Sequence, residues 1–538
     1  MNDLSQLEIR GIADPWREGI ARGWSVMDAG QLGEDTTLDA DVVIVGSGAG
    51  GGVSAEILSQ AGLRVVIIEA ARLKSTDAFN MDEGEAYRDL YQEGAARAAK
   101  DGSMPILQGR AVGGTTVINW TSSFRTPSQT LDYWASEFGV RGLSRTELDP
   151  WFDTMEKRLK VSKWSMPPNA NNHALKKGCE ALGWMWSVIP RNVDGCWNLG
   201  YCGTGCPTNA KQSMLVTTLP VAMEHGATLV HSAEARHFRH DGKRISAVVC
   251  RALDERRRAT GKTITVTAPV FIAAGGGINT PALLMRSQVP DPHQRLGKRT
   301  FLHPTTLVLG DFEERVDGYY GAPQSLYSDQ FTWRDGVTGA IGYKMEVMPT
   351  HPGLMSSLIG GYGSTARAQV ERLPHYAAAI AMMRDGFHEH SPGGAVELNR
   401  HDDAVLDYTL NNYVLEGLRH SHLHMAEMLF AAGATAARPG HGDAPFFRSW
   451  KEAREVIPSL KYAPGLAGAG SAHVMGGCTM GNDPRRCLTN DDGRYQHLDN
   501  LYVFDGSVLP TSLGVNPQLT IYGISARNAS ALAARLTA

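Results

Sequence analysis

The stretch DADVVIVGSGAGGGVSAEILSQAGLRVVIIEAA, residues 39–71, decides the fold of this 538-residue chain. A short β-branched run, residues 41–45, leads into a GxGxxG spacing formed by Gly46, Gly48 and Gly51. This order predicts a strand, a tight turn and a helix. Gly46 allows the turn, Gly48 lets the backbone approach a pyrophosphate, and Gly51 lets the helix pack closely. Because amides at the helix N-terminus then face phosphates, the motif predicts a dinucleotide site.

A second apolar strand, residues 64–68, ends at Glu69. A carboxylate at this place accepts hydrogen bonds from a ribose hydroxyl and disfavours a 2′-phosphate. NADP is therefore not expected. The motif alone does not choose between NAD and FAD, and that choice needs the rest of the chain.

The composition bounds the class of protein. The length favours two interleaved domains over one simple core, and a net charge of −4 gives no electrostatic case for nucleic acid. The N-terminus lacks a basic region followed by an apolar core, and no run approaches the roughly 18 apolar residues of a membrane span. Seven cysteines, three of them crowded together, do not form a disulfide framework. We expect a cytoplasmic protein without a transmembrane segment, and peripheral membrane attachment stays open.

A second glycine-rich loop lies in ILQGRAVGGTTVINWTSS, residues 106–123, and contains Gly109, Arg110, Gly113, Gly114, Thr115, Thr116 and Asn119. Here the chain resembles the glucose-methanol-choline (GMC) flavin oxidoreductases, whose GRxxGG(S/T)(S/T)xxN loop it matches residue by residue. The resemblance implies FAD, with Gly113, Gly114 and Asn119 near the isoalloxazine ring. Some relatives attach FAD through a histidine in this loop. Residues 109–126 contain no histidine, so we expect non-covalent FAD.

Two further segments fit the resemblance. ATLVHSAEARHF, residues 227–238, predicts two successive strands, and the family's contact with adenine in this region implies that Ala235 lies nearby. IAAGGGINTPALLMRS, residues 272–287, predicts a strand, a glycine turn and a helix. We expect Pro281 in the first helical turn, where its missing N–H is harmless.

The C-terminal part returns to the cofactor domain. LYVFDGSVLP, residues 501–510, predicts a strand that runs into Asp505 and Gly506, which the resemblance places at the pyrophosphate and ribityl chain. Residues 516–536 predict the last helix.

We therefore expect an α/β fold, with a discontinuous Rossmann-like FAD-binding domain and an α+β substrate-binding domain built on an antiparallel sheet. The expected boundaries are 38–130, 215–310 and 465–538 for the FAD-binding domain, 131–214 and 311–464 for the substrate-binding domain and cap, and 1–37 for an N-terminal arm. Met fills irregular space well, so five residues of the second domain are candidates to line an apolar pocket: Met345, Met348, Met355, Met382 and Met383.

Two short segments carry the expected chemistry: SAHVMGGCTMG, residues 471–481, and VNPQLTI, residues 515–521. The resemblance implies that His473 and Asn516 face the flavin N5 edge across the substrate. Alcohol oxidation removes a proton from oxygen and a hydride from carbon, and FAD can take the hydride. Histidine is about 9 pKa units less basic than an alkoxide, so hydrogen bonds must stabilise the alkoxide, or proton and hydride must leave together. We expect His473 to take the proton and the Asn516 amide to hold the oxygen; Glu346 is a candidate to tune the site.

Three cysteines stand in GCWNLGYCGTGCPTNAKQS, residues 195–213, namely Cys196, Cys202 and Cys206, with a proline directly after the last. Such clusters are typical of iron–sulfur ligation. Within the family, the segment resembles the long-chain-alcohol-oxidase-like branch. It also resembles the flavoprotein subunit of bacterial glucose dehydrogenases, which binds a three-iron cluster and passes electrons to a cytochrome. Two interpretations stay open: metal ligands, or reduced cysteines in a glycine-rich loop.

The predicted function is FAD-dependent oxidation of a hydrophobic alcohol to an aldehyde or ketone, in a long-chain-alcohol-oxidase-like or cholesterol-oxidase-like branch. The electron acceptor is oxygen, a quinone or a cytochrome-type protein. One alternative is an FAD-containing lyase of the same fold, and another is an electron-relaying dehydrogenase subunit with an iron–sulfur cluster.

Overall fold

A computed structural model describes residues 12–538. The strands are β1 (Ser25–Asp28), β2 (Thr36–Asp39), β3 (Val42–Val45), β4 (Val65–Ile68), β5 (Val161–Lys163), β6 (Ser187–Val188), β7 (Pro190–Asn192), β8 (Thr228–His231), β9 (Ala233–His240), β10 (Ile245–Leu253), β11 (Ala259–Thr267), β12 (Val270–Ala273), β13 (Lys298–Leu302), β14 (Thr305–Asp311), β15 (Leu326–Phe331), β16 (Tyr343–Val347), β17 (Tyr376–Met383), β18 (Gly394–Leu398), β19 (Ala404–Asp407), β20 (Ala436–Pro439), β21 (Val474–Gly476) and β22 (Leu501–Val503). The helices are α1 (Pro15–Ala21), α2 (Ala49–Gln60), α3 (Glu83–Leu90), α4 (Ser128–Phe138), α5 (Arg145–Arg158), α6 (Ala170–Leu182), α7 (Thr218–Glu224), α8 (Gly276–Arg286), α9 (Pro352–Leu358), α10 (Gly363–Glu371), α11 (Asn412–Ala431), α12 (Trp450–Val456) and α13 (Gln518–Thr537).

A parallel sheet with the strand order β1-β8-β4-β3-β12-β22 forms the first layer. Parallel strands are covered on both faces and so need apolar residues on both sides. Every residue of β3, β4 and β12 is buried. Helix α2 connects β3 to β4, as the glycine motif predicts. The expected Rossmann-like sheet is confirmed.

The predicted N-terminal arm, residues 1–37, begins outside the described residues, and its described part contributes a strand and a buried side chain to the first layer. Strand β1 pairs in parallel with β8 at the edge of the sheet. Trp16 is buried, and its Nε1 donates a hydrogen bond of 2.7 Å to the carbonyl of Leu215. The chain from Trp16 onward is therefore integrated into the first layer.

An antiparallel sheet with the order β20-β14-β17-β16-β15-β6 forms the core of the second layer. Helix α11 packs against β14 and β17, and α6 packs against α11. The face of α11 that turns inward is apolar, with Leu418 and Met425 fully buried. The expected antiparallel sheet is confirmed. Within residues 12–538, no helix combines the length and the apolar character that crossing a bilayer requires.

A smaller sheet, β19-β18-β13-β21, brings two distant parts of the chain together. Strands β13 and β21 are antiparallel, and Leu302 lies opposite Val474. His303 follows β13 and His473 precedes β21, so the two histidines occupy the next register position of this ladder.

The predicted place of Pro281 is wrong. Helix α8 begins at Gly276, so Pro281 lies in the second turn, where a proline removes an intrahelical hydrogen bond. The sequence predicts a glycine turn at residues 275–277, but the helix already begins within this run, at Gly276. The strand pair predicted in residues 227–238 is found as β8 and β9, and the predicted last helix is α13.

Substituting Gly50 by alanine is expected to lower the free energy of unfolding by about 3 kcal/mol, because overpacking against rigid backbone costs this much. A Cβ at Gly50 would lie 1.6 Å from the carbonyl oxygen of Phe504. Gly33→Ala is the control, since a Cβ there meets no atom within 4 Å. Urea unfolding of the cofactor-free proteins measures both. Equal stability of the two variants would contradict the close packing of α2 on the end of β22.

Candidate active site

A cavity of about 1350 Å³ opens at the carboxyl ends of the parallel strands. Ligands of open α/β sheets bind at this edge. The predicted residues that line it are Gly46, Gly48, Glu69, Arg110, Gly114, Asn119, Ala235, His473, Asp505, Gly506 and Asn516. Gly51 and Gly113 lie behind the lining. The structure therefore brings the segments singled out from the sequence to one cavity.

The first glycine turn leaves backbone amides open toward this cavity. Gly46 has a φ of +104°, and a Cβ there would lie 2.3 Å from the carbonyl oxygen of Ala274. A Cβ at Gly51 would lie 1.9 Å from the Gly46 carbonyl oxygen. The N-cap of α2 is Gly48, and no side chain caps the helix. Its first-turn amides are thus available to an anion, which fits a pyrophosphate.

The two glycine loops touch each other through backbone. Gly114 has a φ of +58°, and a Cβ there would lie 2.7 Å from the Cα of Gly48. Beside this contact, the Gly113 amide donates to the Ser47 hydroxyl at 2.9 Å, and that hydroxyl donates to Glu69 Oε2 at 2.6 Å. The loops consequently form one wall of the cavity.

The Glu69 carboxylate is already engaged within the protein. Its Oε2 also accepts from the Ser47 amide at 3.1 Å, and its Oε1 accepts from the Ala71 amide at 2.9 Å. The carboxylate still lines the cavity. Its predicted contact with a ribose hydroxyl stays a prediction.

Both carboxylate oxygens of Asp505 also accept hydrogen bonds from the protein. Oδ2 accepts from the Gly276 amide at 2.7 Å and from the Thr280 hydroxyl at 2.6 Å, and Oδ1 accepts from the Ser507 amide at 2.8 Å. The carboxylate therefore joins the start of α8 to the turn that carries Gly506, and holds that turn at the cavity wall.

Two residues that sequence reasoning missed hold the second glycine loop. Gln518 accepts from the Asn119 amide at 2.7 Å and donates to the carbonyl of Ser122 at 2.8 Å. Lys211 donates from Nζ to the carbonyls of Val117, Asn119 and Cys202. Burial lowers the pKa of Lys211 to about 8. Both residues stand in quoted motifs, AKQS and NPQLTI, but only their tertiary partners reveal the role.

His473 lines the cavity and is held from behind by a second histidine. Its Nδ1 lies 2.9 Å from Nδ1 of His303, with the two rings at 88°. Burial lowers the pKa of His473 to about 4, so the ring is neutral at neutral pH. In the described part of the chain, Nε2 of His473 has no hydrogen-bond partner, which leaves this nitrogen to a ligand.

Glu346 is a buried carboxylate beside Asn516. Strand pairing sets it opposite Ile380 on β17, and directly opposite side chains share a face of an antiparallel sheet. Ile380 lines the cavity, so Glu346 is on the same face of the sheet; its side chain is fully buried and lies behind the cavity lining. Neither carboxylate oxygen has a hydrogen-bond partner among residues 12–538. Burial raises the pKa of Glu346 to about 7, against the opposing effects of Lys344 and Asn516.

The three clustered cysteines lie outside the cavity, and both interpretations of them stay open. All seven cysteines are free, and Cys196, Cys202 and Cys206 are partly exposed and do not line the cavity. Residues 12–538 contain no group of three histidine, cysteine or acidic side chains arranged to hold a metal ion. Instead, Cys202 Sγ accepts from the Arg191 guanidinium at 3.6 Å, and Cys206 Sγ accepts from the Lys211 amide at 3.5 Å.

Of the five candidate methionines, Met348 and Met382 line the cavity. The other three, Met345, Met355 and Met383, are fully buried in the core. Strand alternation separates Met382 from Met383 on β17, because neighbouring residues of a strand point to opposite faces. Met355 lies on α9, where it faces the core.

Comparison with known proteins agrees with this arrangement. The models of the GMC oxidoreductase family match residues 87–305 and 389–525. An uncharacterized GMC-type oxidoreductase of Mycobacterium tuberculosis is 32% identical over 489 residues, which cover 90% of this chain and 74% of that protein. A long-chain-alcohol oxidase of Arabidopsis thaliana is 29% identical over 509 residues, covering 91% of this chain and 68% of that protein.

Solved structures show the same fold at low identity. Formate oxidase from Aspergillus oryzae has a TM-score of 0.69 at 14% identity and covers 94% of this chain and 100% of its own. Pyridoxine 4-oxidase from Mesorbium loti has a TM-score of 0.63 at 16% identity and covers 91% of this chain and 98% of its own. The family models match more than half of the chain, and the chain therefore belongs to the GMC oxidoreductases, FAD-binding flavoenzymes that act on the CH–OH groups of alcohols.

Proposed function

We propose that this protein oxidises a hydrophobic alcohol to an aldehyde or ketone. The observation that carries the proposal is that His473 and Asn516 line the same cavity as the two glycine loops. The similarity to long-chain-alcohol oxidases supports an aliphatic substrate. Bound FAD supplies the hydride acceptor for such a reaction.

The residues proposed to hold FAD without a covalent bond follow the cavity wall. The turn from Gly46 to Gly51 offers helix amides to the pyrophosphate, together with the segment of Asp505 and Gly506. Glu69 faces a ribose and Ala235 the adenine. Arg110, Gly113, Gly114 and Asn119 belong to the loop proposed to lie against the isoalloxazine ring.

The proposed substrate side of the cavity is apolar. Ile380 and Met382 of the antiparallel sheet line it together with Met348, Leu354 and Leu358. Each methylene buried against such a wall contributes about 0.8 kcal/mol. An alkyl or alicyclic alcohol gains most from this surface.

The reaction needs groups for the alcohol oxygen and for its proton. We place the oxygen at the Asn516 amide and at Nε2 of His473. The hydroxyl O–H bond breaks and its proton goes to a base, the carbon–hydrogen bond breaks and its hydrogen leaves with both electrons as hydride, and the C=O bond forms. The electrons pass on to oxygen, a quinone or a cytochrome-type acceptor.

Two groups compete for the hydroxyl proton, His473 and Glu346. A general base works best when its pKa lies near the working pH. The pKa of about 4 for His473 makes it a weak base, whereas the pKa of about 7 for Glu346 matches neutral conditions. We therefore place the proton on Glu346, which differs from the sequence prediction that His473 takes it.

Alcohol addition under anaerobic conditions is expected to bleach the flavin band of the purified protein. The probes are 1-dodecanol, 1-hexanol and cyclohexanol. His473→Ala and Asn516→Ala should slow the bleaching by about 100-fold or more, because each removes a group at the reacting oxygen. His401→Ala, at an exposed position, is the control.

Stopped-flow absorbance measures this rate, and dithionite checks that every variant holds a reducible flavin. Air admitted after bleaching shows whether oxygen accepts the electrons. A flavin that stays oxidised with every alcohol would contradict the proposed function and favour the lyase alternative.

The pH dependence of the bleaching rate separates the two proton acceptors. With Glu346 as acceptor, the ionised form dominates above its pKa, so the rate should rise through about pH 7 and then level off. Glu346→Gln should remove this rise and lower the rate about 100-fold. A rate that is level from pH 5 to 9, unchanged in Glu346→Gln, would instead assign the proton to His473, whose pKa is about 4.

A further inference from the structure

The two histidines of the candidate site are neighbours in a strand ladder. Strands β13 and β21 pair Leu302 with Val474, and His303 and His473 occupy the next opposing positions, just beyond the end of the two strands. Their Nδ1 atoms are 2.9 Å apart. A hydrogen bond of this length has one proton between the two nitrogens, so one ring must donate and the other accept.

The outer nitrogen of His303 decides which ring donates. Backbone amides of Leu513 and Gly514 both donate to Nε2 of His303, each at 3.3 Å. A backbone N–H is always a donor, so Nε2 must carry a lone pair. Burial, together with the nearby charges of His473 and Lys344, lowers the pKa of His303 well below its usual range. A neutral His303 without a proton on Nε2 carries it on Nδ1.

We propose that His303 is a positioning residue that fixes the tautomer of His473. His303 donates from Nδ1 to Nδ1 of His473, and His473 therefore keeps its own proton on Nε2. His473 then meets the alcohol oxygen as a hydrogen-bond donor, alongside the Asn516 amide. The role of His473 toward the alcohol rests on the proposed function, whereas the assignment of its tautomer does not.

The opposite tautomer is disfavoured by the same contacts. It would move the shared proton to His473 and place a proton on Nε2 of His303, facing the two amide donors. His303 is 1% exposed, so water cannot relieve that conflict. His473 therefore lacks a free lone pair on Nε2 for a substrate proton. The hydroxyl proton goes to the Glu346 carboxylate, while both electrons leave with the hydride.

The loop that orients His303 also carries Asn516. Gly514 has a φ of +76°, and the amides that reach His303 lie two and three residues before Asn516. One loop thus sets the direction of both donors at the alcohol oxygen, His473 through His303 and Asn516 directly.

A matched pair of variants tests the direction of this hydrogen-bond chain. In His303→Gln, the side-chain oxygen can accept from the Leu513 and Gly514 amides while the amide nitrogen donates to His473, which reproduces the native pattern. In His303→Glu, a carboxylate of the same length accepts at both ends. His473 must then donate from Nδ1, which leaves Nε2 without a proton.

Nitrogen NMR of protein labelled with ¹⁵N-histidine reads the tautomer without any substrate, and His473→Gln identifies the His473 signal. We expect the Nε2–H tautomer in the native protein and in His303→Gln, and the Nδ1–H tautomer in His303→Glu. Bleaching by 1-dodecanol should stay within about fivefold of native in His303→Gln and fall about 100-fold in His303→Glu, the usual effect of losing one such donor.

A signal of the Nδ1–H tautomer for His473 in the native protein would overturn the inference. This readout does not require either His303 variant to fold. Equally fast bleaching by 1-dodecanol in His303→Glu and in His303→Gln would also overturn the inference. It would mean that His473 works as a base, because only the glutamate variant leaves a lone pair on its Nε2. The two proposals fail separately. If no alcohol reduces the native flavin, the proposed function is wrong, and the NMR signal still decides the tautomer.

Discussion

The site depends on a backbone contact between Gly48 and Gly114. A Cβ on Gly114 would lie 2.7 Å from the Cα of Gly48 and would force the two loops apart, whereas a Cβ on Gly48 would make an ordinary contact of 3.7 Å. The Ser47 hydroxyl bridges the same junction to the Gly113 amide and the Glu69 carboxylate. Because the two loops meet without side chains between them, their amides and glycine surfaces face one cavity. The lining of that cavity by residues from distant segments follows from this contact.

A second constraint acts at the other end of the cavity. The ladder between β13 and β21 sets His303 against His473, and the loop before Asn516 supplies two amides to His303. Parts of the chain about 170 and 40 residues from His473 along the sequence thus determine what its ring offers to a ligand. A neutral imidazole can either donate or accept a hydrogen bond at a given nitrogen, and its surroundings decide which.

Local motifs predict the parts of the site that depend on backbone geometry. The turn at residues 46–51 and the family segment with His473 are readable because glycine spacing has few structural solutions. Glu346 and His303 could not be assigned in this way, since their roles arise from strand register and from partners far along the chain. The spacing of the cysteines at 196–206 leaves metal ligands and reduced thiols both open; in the described residues two of these thiols accept hydrogen bonds from Arg191 and from a backbone amide.

The parallel sheet has a consequence for how each molecule is made. Strand β12 lies between β3 and β22, so it stays an unprotected edge until residues 501–503 are synthesised. The amides that orient His303, and Asn516 itself, emerge later still. Contacts across such separations form slowly, and exposed strand edges meanwhile invite wrong pairing. A ribosome-bound chain therefore exposes this strand edge through most of its synthesis, and the cavity lacks part of its wall until residues 505–521 have emerged.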